Sequence, residues 1–457
     1  MTISSNLGFP RIGPGRALKW ALERYWSGKA DEAGLLEDTR RIRHQNWQLQ
    51  RELGLDHVPS NDFSLYDHVL DTAVMVGAVP ELETSPLGAY FAFARGATVA
   101  GRAVSAWEMT KWFDTNYHYL VPELSGDTRF RLDARKPLGE LAEATAAGVS
   151  TRPVLLGPIS FLLLAKSRAG GSWDPLEPLP RLVPVYEELL ASLAEAGATW
   201  VQVDEPMLAS DLGPDADKAF AATYRRLADA APQLRILLAA YFSGLRANLD
   251  LALRLPVAAI HLDLVREPSQ LGQVLASIPS GLTLSLGVVD GRNVWRADLD
   301  AALATLERAA AQLGRERILV APSCSLLHCP LDVTLEEGLD PELRSWLAFA
   351  TQKVGEVVTL ARALDEGRDA VGPALEEARA ARQDRRESPA VHDPLVQRRL
   401  SELVPEMEQR GSTHPERKAV QETALRLPVL PTTTIGSYPQ TPEVRRARAE
   451  FRRGDLD

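Results

Sequence analysis

From residue 153 onward the chain alternates short, nearly continuous aliphatic runs with longer stretches whose apolar positions recur at helical spacing. The runs are PVLL (153–156), TWVQVD (199–204), LRILLAA (234–240), VAAIHLD (257–263), LTLSLGV (282–288) and RILVAP (317–322). Helical patterns such as LVPVYEELLASLAEAG (182–197) and ADLDAALATLERAAAQLG (297–314) stand between them. A strand that is apolar at nearly every position is buried on both faces, and strands separated by helices pair in parallel. Six such units, with room upstream for two more, predict an α/β fold, a (β/α)8 barrel of the TIM type; an open doubly wound sheet is the alternative.

Residues 1–150 are less regular. They hold a strand-turn, TISSNLGFPRIG, helices near 16–28 and 31–53, and an aromatic-rich stretch near 105–120. This region reads as the first strand followed by a large helical insertion. Residues 365–427 are charged, Ala-rich and helical, after which RLPVLPTTTIGSYP (426–439) returns to strand chemistry. LGFP at 7–10 recurs there as IGSYP at 435–439. Lys19, Tyr25, Gly28 and Asp31 then align with Arg445, Phe451, Gly454 and Asp457 at one offset. A repeat placed directly after a linker points to duplication. The expected organisation is a barrel over 1–365, a helical linker over 366–430, and the first strand and helix of a truncated second barrel over 431–457.

Composition narrows the functional classes. With a hydrophobic content of 45% and a charged content of 25%, the chain is ordinary for a globular protein. A net charge of −10 argues against nucleic acid as a partner. Arg outnumbers Lys 43 to 8, so a lone Arg carries little information and a Lys somewhat more. Cys324 and Cys329 cannot build a disulfide framework, and the opening residues have no secretory pattern, so a cytoplasmic location is expected. The longest apolar run, 153–165, is too short to span a bilayer and is broken by Gly157 and Pro158, which excludes a membrane role.

Several segments could carry chemistry. GFPRIGPGRALKW (8–20) shapes a tight turn and presents Arg16 and Lys19 at a helix start, a site for carboxylate or phosphate or else a solvated basic face. WEMTKWFDTNYHY (107–119) crowds aromatic residues around Lys111, Asp114, Asn116 and His118, either lining a binding surface or forming a helix–helix packing patch. Asp204 and Glu205 stand at the carboxyl end of a strand, where barrel active sites lie, and Arg292, Asn293 and Arg296 follow a later one; both sets could equally be structural ties. Cys324, His328 and Cys329 match no common zinc spacing and read as packing or simple thiols. No Walker loop, G-x-G-x-x-G or nucleophile elbow is present.

Taken together, LGFPRIGPGRALK, SNDFSLYDHVLD, EMTKWFDTNYHY, VLLGPISFLLL, WVQVDEP, GRNVWRADL, SCSLLH and TTTIGSYPQT resemble cobalamin-independent methionine synthase, in the family's order across essentially the whole chain. The resemblance implies two face-to-face barrels and transfer of a methyl group from 5-methyltetrahydropteroyl-polyglutamate to homocysteine. It places the polyglutamate tail on Arg16, Lys19 and Lys111, and homocysteine on the turn Ile435, Gly436 and Ser437. The family's zinc, which holds homocysteine as thiolate, uses ligands downstream of anything in this sequence, so no metal ligand and no catalytic residue is assigned here. Asp204, Glu205 and Cys324 would be scaffold in a duplicate barrel that has lost its metal. The expectation is a chain inactive by itself. The alternatives are a non-enzymatic folate-polyglutamate binding module and an independent barrel enzyme using Asp204, Arg292 and Cys324.

Overall fold

Each of the six aliphatic runs forms a strand, because an unbroken row of branched side chains fills both faces of a pleated ribbon. In the computed structural model, which describes all residues except 169, 171, 172, 435, 437–439 and 457, two further strands precede them. The eight are β1 (Ile3–Ser4), β2 (Val58–Ser60), β3 (Thr151–Leu156), β4 (Trp200–Asp204), β5 (Arg235–Ala239), β6 (Ala259–Asp263), β7 (Thr283–Val289) and β8 (Ile318–Pro322).

From β2 to β8 each strand pairs in parallel with its neighbours in sequence, and β1 pairs in parallel with β8. A parallel bridge between Ser5 and His57 joins β1 to the segment entering β2, with the His57 N–H on the Ser4 carbonyl at 3.0 Å and the Asn6 N–H on the His57 carbonyl at 3.3 Å. The ring of strands is thereby closed. Arg152 fills part of its interior, donating to Ser5 Oγ (2.9 Å), the Asn6 carbonyl (2.8 Å) and Gln202 Oε1 (2.8 Å).

The region before β3 differs from the expected helical insertion in two ways. It contains the second barrel strand, and residues 97–104 and 109–120 form hairpins rather than helices. After α1 (Ala17–Trp26) and α2 (Glu32–Glu52), the β2–β3 connection carries helices His68–Met75 and Pro86–Arg95. Two short antiparallel hairpins follow, pairing Ala97–Val99 with Arg102–Val104 and Met109–Lys111 with His118–Leu120, before helix Arg135–Ala146. Strands of two or three residues give no periodic signal; only their pairing creates them.

The first compact unit is Met1–Glu387, so it extends past the expected boundary near 365. Helix Gly372–Glu387 belongs to it: Trp346 Nε1 donates to Asp384 Oδ2 at 2.7 Å and Arg379 pairs with Asp300. The second unit is Ser388–Asp457. Its helices are Pro394–Ser401, His414–Leu425 and Pro442–Arg453, the second opened by reciprocal bonds between Thr413 and Glu416. No strand occurs among its described residues; of the expected strand at 431–439, residues 431–434 and 436 are not strand and the rest lie outside the described residues. No helix among the described residues is long and apolar enough to cross a membrane.

Candidate functional site

The loops leaving the carboxyl ends of β1, β2 and β8 are tied to one another. Phe9 N–H donates to Asp62 Oδ2 at 2.8 Å, and Leu326 N–H donates to the Gly8 carbonyl at 2.9 Å. A Cβ on Gly8 would sit 2.4 Å from Ser325 Oγ, so this crossing of loops requires glycine. After it, Pro14–Arg16 makes a 3-10 turn and α1 begins. Arg16 takes left-handed backbone geometry at the helix entry, with φ 62°, and its side chain is exposed. Lys19, one turn on, is also exposed, its Nζ 4.8 Å from the centre of the Trp20 ring.

The aromatic segment 107–119 resolves into a hairpin rather than either reading of its sequence pattern alone. One side is packing: Trp112 and Tyr119 are buried, Trp112 stands edge-on to His68 at 4.5 Å, and Tyr117 OH donates to Asp67 Oδ1 at 2.8 Å. Asp67 caps helix His68–Met75 through the Leu70 N–H and also accepts the Leu120 N–H at 3.1 Å, fixing the hairpin to that helix. The other side is open. A cleft of about 580 Å3 separates the hairpin from α1, lined by Lys19, Leu22 and Trp26 on the helix and by Met109, Asn116 and His118 on the hairpin. Lys111 is exposed and pairs in register with His118; neither it nor Arg16 lines the cleft itself.

Asp204 and Glu205 are adjacent in sequence and face different surroundings. Asp204 accepts from Gln202 Nε2 (2.7 Å) and Tyr241 OH (2.9 Å), and burial pushes its carboxyl up to about 7. Glu205 is fully buried, accepts from the N–H groups of Ile159 (3.2 Å) and Ser160 (2.7 Å) and from Tyr224 OH (3.2 Å), and is likewise raised to about 7 by burial. It anchors the turn that leaves β3. Arg292 binds Asp114 on the hairpin, Asn293 accepts from the buried Lys353 Nζ at 3.0 Å, and Arg296 pairs with Glu377, so all three are structural ties.

Cys324 and Cys329 are buried, and burial pushes both thiols up, Cys329 to about 12, which keeps them from acting as thiolates. His328 packs between Tyr117 and Phe242, and burial holds its pKa down near 4. Among the described residues there is no group of three or more His, Cys, Asp or Glu side chains placed to hold a metal ion. Of the residues expected to meet homocysteine, Gly436 is exposed, whereas Ile435 and Ser437 lie outside the described residues.

Sequence reasoning did not single out Arg11, Asp62, Ser64, His68 or Lys136, which line a second, smaller cavity at the same end of the barrel. Asp62, Ser64 and His68 stand in SNDFSLYDHVLD, where Asp67 caps a helix, but the strand before this segment is too short to read, and Arg11 and Lys136 lie outside it.

Residues 3–314 match the family model described as cobalamin-independent synthase, N-terminal domain, and residues 430–457 match cobalamin-independent synthase, catalytic domain. Relatives named 5-methyltetrahydropteroyltriglutamate–homocysteine methyltransferase are 55% identical in Acidiphilium cryptum and 52% identical in Parvibaculum lavamentivorans, over 100% of this chain in each case. The chain spans 60% of the length of either relative. A B12-independent methionine synthase from Shewanella sp. W3-18-1, solved in complex with selenomethionine, shares the fold with a TM-score of 0.55 at 13% identity, covering 81% of this chain and 99% of that one. With the family match spanning most of the barrel and half of all residues identical to such relatives, this chain belongs to the cobalamin-independent methionine synthase family.

Proposed function

We propose that this chain supplies the folate-tail side of a 5-methyltetrahydropteroyltriglutamate–homocysteine methyltransferase, the activity in which a methyl group passes from the folate to the homocysteine sulfur to give methionine. The observation that supports it is the cleft between α1 and the hairpin, with Lys19 on one wall and the strand partner of Lys111 on the other. A polyglutamate tail is a flexible chain of carboxylates. Lys19, Arg16 and Lys111 hold it by charge from exposed positions, which leaves binding dependent on tail length and ionic strength.

The turn at Ile435, Gly436 and Ser437 is the proposed contact for homocysteine. A zinc ion, in the complete family enzyme, would hold that sulfur as thiolate. The described residues do not fit such a metal, since the two cysteines are buried as thiols far from thiolate chemistry and no third ligand joins them. Activation of the sulfur is therefore assigned to sequence that the longer relatives carry, and the 457-residue chain tested alone is expected to form no methionine from the triglutamate folate and homocysteine.

Calorimetric titration of this chain with mono- and triglutamate 5-methyltetrahydrofolate at two salt concentrations tests the reading. The triglutamate should bind more tightly, lose affinity as salt shortens the Debye length below about 10 Å, and lose affinity again in Lys19→Ala and Lys111→Ala. Equal affinity for both tails would reject the site.

A further inference from the structure

A cavity of about 70 Å3 lies above the carboxyl ends of β2, β3 and β4, and none of the residues assigned to the folate tail lines it. At roughly 10–15 Å3 for each water-sized group, it has room for about five or six non-hydrogen atoms.

Its charged groups are unevenly satisfied. Arg11 donates to the Ser64 carbonyl at 3.3 Å and lies 5.5 Å from the centre of the Tyr117 ring, and it forms no ion pair among the described residues. Ser64 is 1% exposed, and its hydroxyl has no hydrogen-bond partner among them. The same corner of the cavity therefore offers guanidinium N–H groups and an O–H donor, the donor set that a carboxylate takes up.

Three carboxylates line the cavity, and of these Asp71 is paired with Lys136 while Asp62 and Asp204 are not. Asp62 accepts the Phe9 N–H, and Asp204 accepts from Gln202 and Tyr241, yet neither forms an ion pair among the described residues. Asp204 is buried and Asp62 partly so; desolvation lifts both above the usual carboxylate range, and Asp62 adds its repulsion to Asp204. Lys136, the other cation of the lining, is already engaged by Asn61, Glu140 and Asp71. An ammonium group supplies both the charge and the donors that Asp62 and Asp204 lack. Leu7, Met75, Trp112, Leu155 and Leu327 supply much of the rest of the lining, an apolar wall for a short side chain.

We propose that this cavity binds a small α-amino acid as its zwitterion, with the carboxylate on Arg11 and Ser64 and the ammonium on Asp62 and Asp204. The volume restricts it to ligands the size of glycine or alanine. Nothing in this assignment depends on the methyl-transfer reading.

Ligand-observed NMR and calorimetry on the full 457-residue chain, with L-alanine, glycine, acetate and methylammonium as probes, test it. The amino acids should bind saturably, and acetate and methylammonium, each carrying one charged half, should bind at least about tenfold more weakly. Ser64→Ala, which removes only the unpartnered hydroxyl, should keep the native melting temperature and weaken L-alanine several-fold. Arg11→Gln should weaken it by about tenfold or more. The proposal is overturned if neither amino acid binds saturably, if acetate binds as well as L-alanine, or if a folded Ser64→Ala chain binds with unchanged affinity.

Discussion

Arg292 and Asp114, 178 residues apart, join two loops at one end of the barrel: Nη1 reaches the Asp114 carboxylate at 2.7 Å and Nη2 its backbone carbonyl at 3.0 Å. The guanidinium also faces the Phe242 ring at 5.2 Å. This contact fastens the turn of the 109–120 hairpin to the loop that follows β7. Because Asp114 is 62% exposed, the pair is worth about 0–1 kcal/mol to global stability. Its effect should be local. Arg292→Ala is expected to leave the melting temperature nearly unchanged while amide exchange across 109–120 accelerates. Unchanged protection of the hairpin would show that the tie holds nothing in place.

Gly157 is set by close approach alone, its φ of −68° being open to any residue. A Cβ there would lie 2.2 Å from Glu205 Oε1, and Glu205 is pinned by three donors. Gly157→Ala should cost about 1–3 kcal/mol through overpacking. Adding Glu205→Asp, which shortens the side chain, should return part of that loss, a coupling readable in a double-mutant cycle of urea midpoints. Simple additivity of the two changes would contradict the contact.

His261 lies inside the barrel with both ring nitrogens engaged, Nδ1 against Ser285 Oγ at 2.9 Å and Nε2 against the Ser323 carbonyl at 3.1 Å. Burial lowers its pKa from 6.5 to about 4. Between those values the unfolded chain binds this proton and the folded chain does not. The contribution to stability is therefore complete above pH about 6.5 and is lost as the pH falls toward 4. Replacing it by His261→Asn should flatten the rise of unfolding free energy with pH across that window by up to about 1.4 kcal/mol per unit. Parallel pH profiles for the two proteins would refute the assignment.

Cys324 is fully buried and Cys329 is 6% exposed, its Sγ directed at the Gly291 carbonyl at 3.0 Å. With both thiols pushed up by burial, a disulfide-exchange reagent at neutral pH should label neither residue in the folded chain and both after denaturation. Rapid labelling of either cysteine in the native protein would require a different loop geometry.

The hydrophobic pattern alone determined the six aliphatic strands, their helical partners and hence a parallel barrel, because a strand buried on both faces must be apolar along its length and the pattern is local. Motif by motif, the sequence also carried the family resemblance. Tertiary structure decided what local pattern cannot encode. Ile3–Ser4 and Val58–Ser60 are strands only because β8 and β3 lie beside them. The hairpin at 109–120 takes its shape from its contacts with Asp67, which caps a helix, and with Arg292 in the loop after β7.

 Asp67 reaches Leu120 across 53 positions, and Arg292 reaches Asp114 across 178. Likewise Arg11, Ser64, Asp62 and Asp204 come from three separate strand ends, and only closure of the barrel brings them around one cavity. Burial, which sets the charge state and the hydrogen-bond debts of those groups, is a property of the packed fold and has no signature in the order of residues.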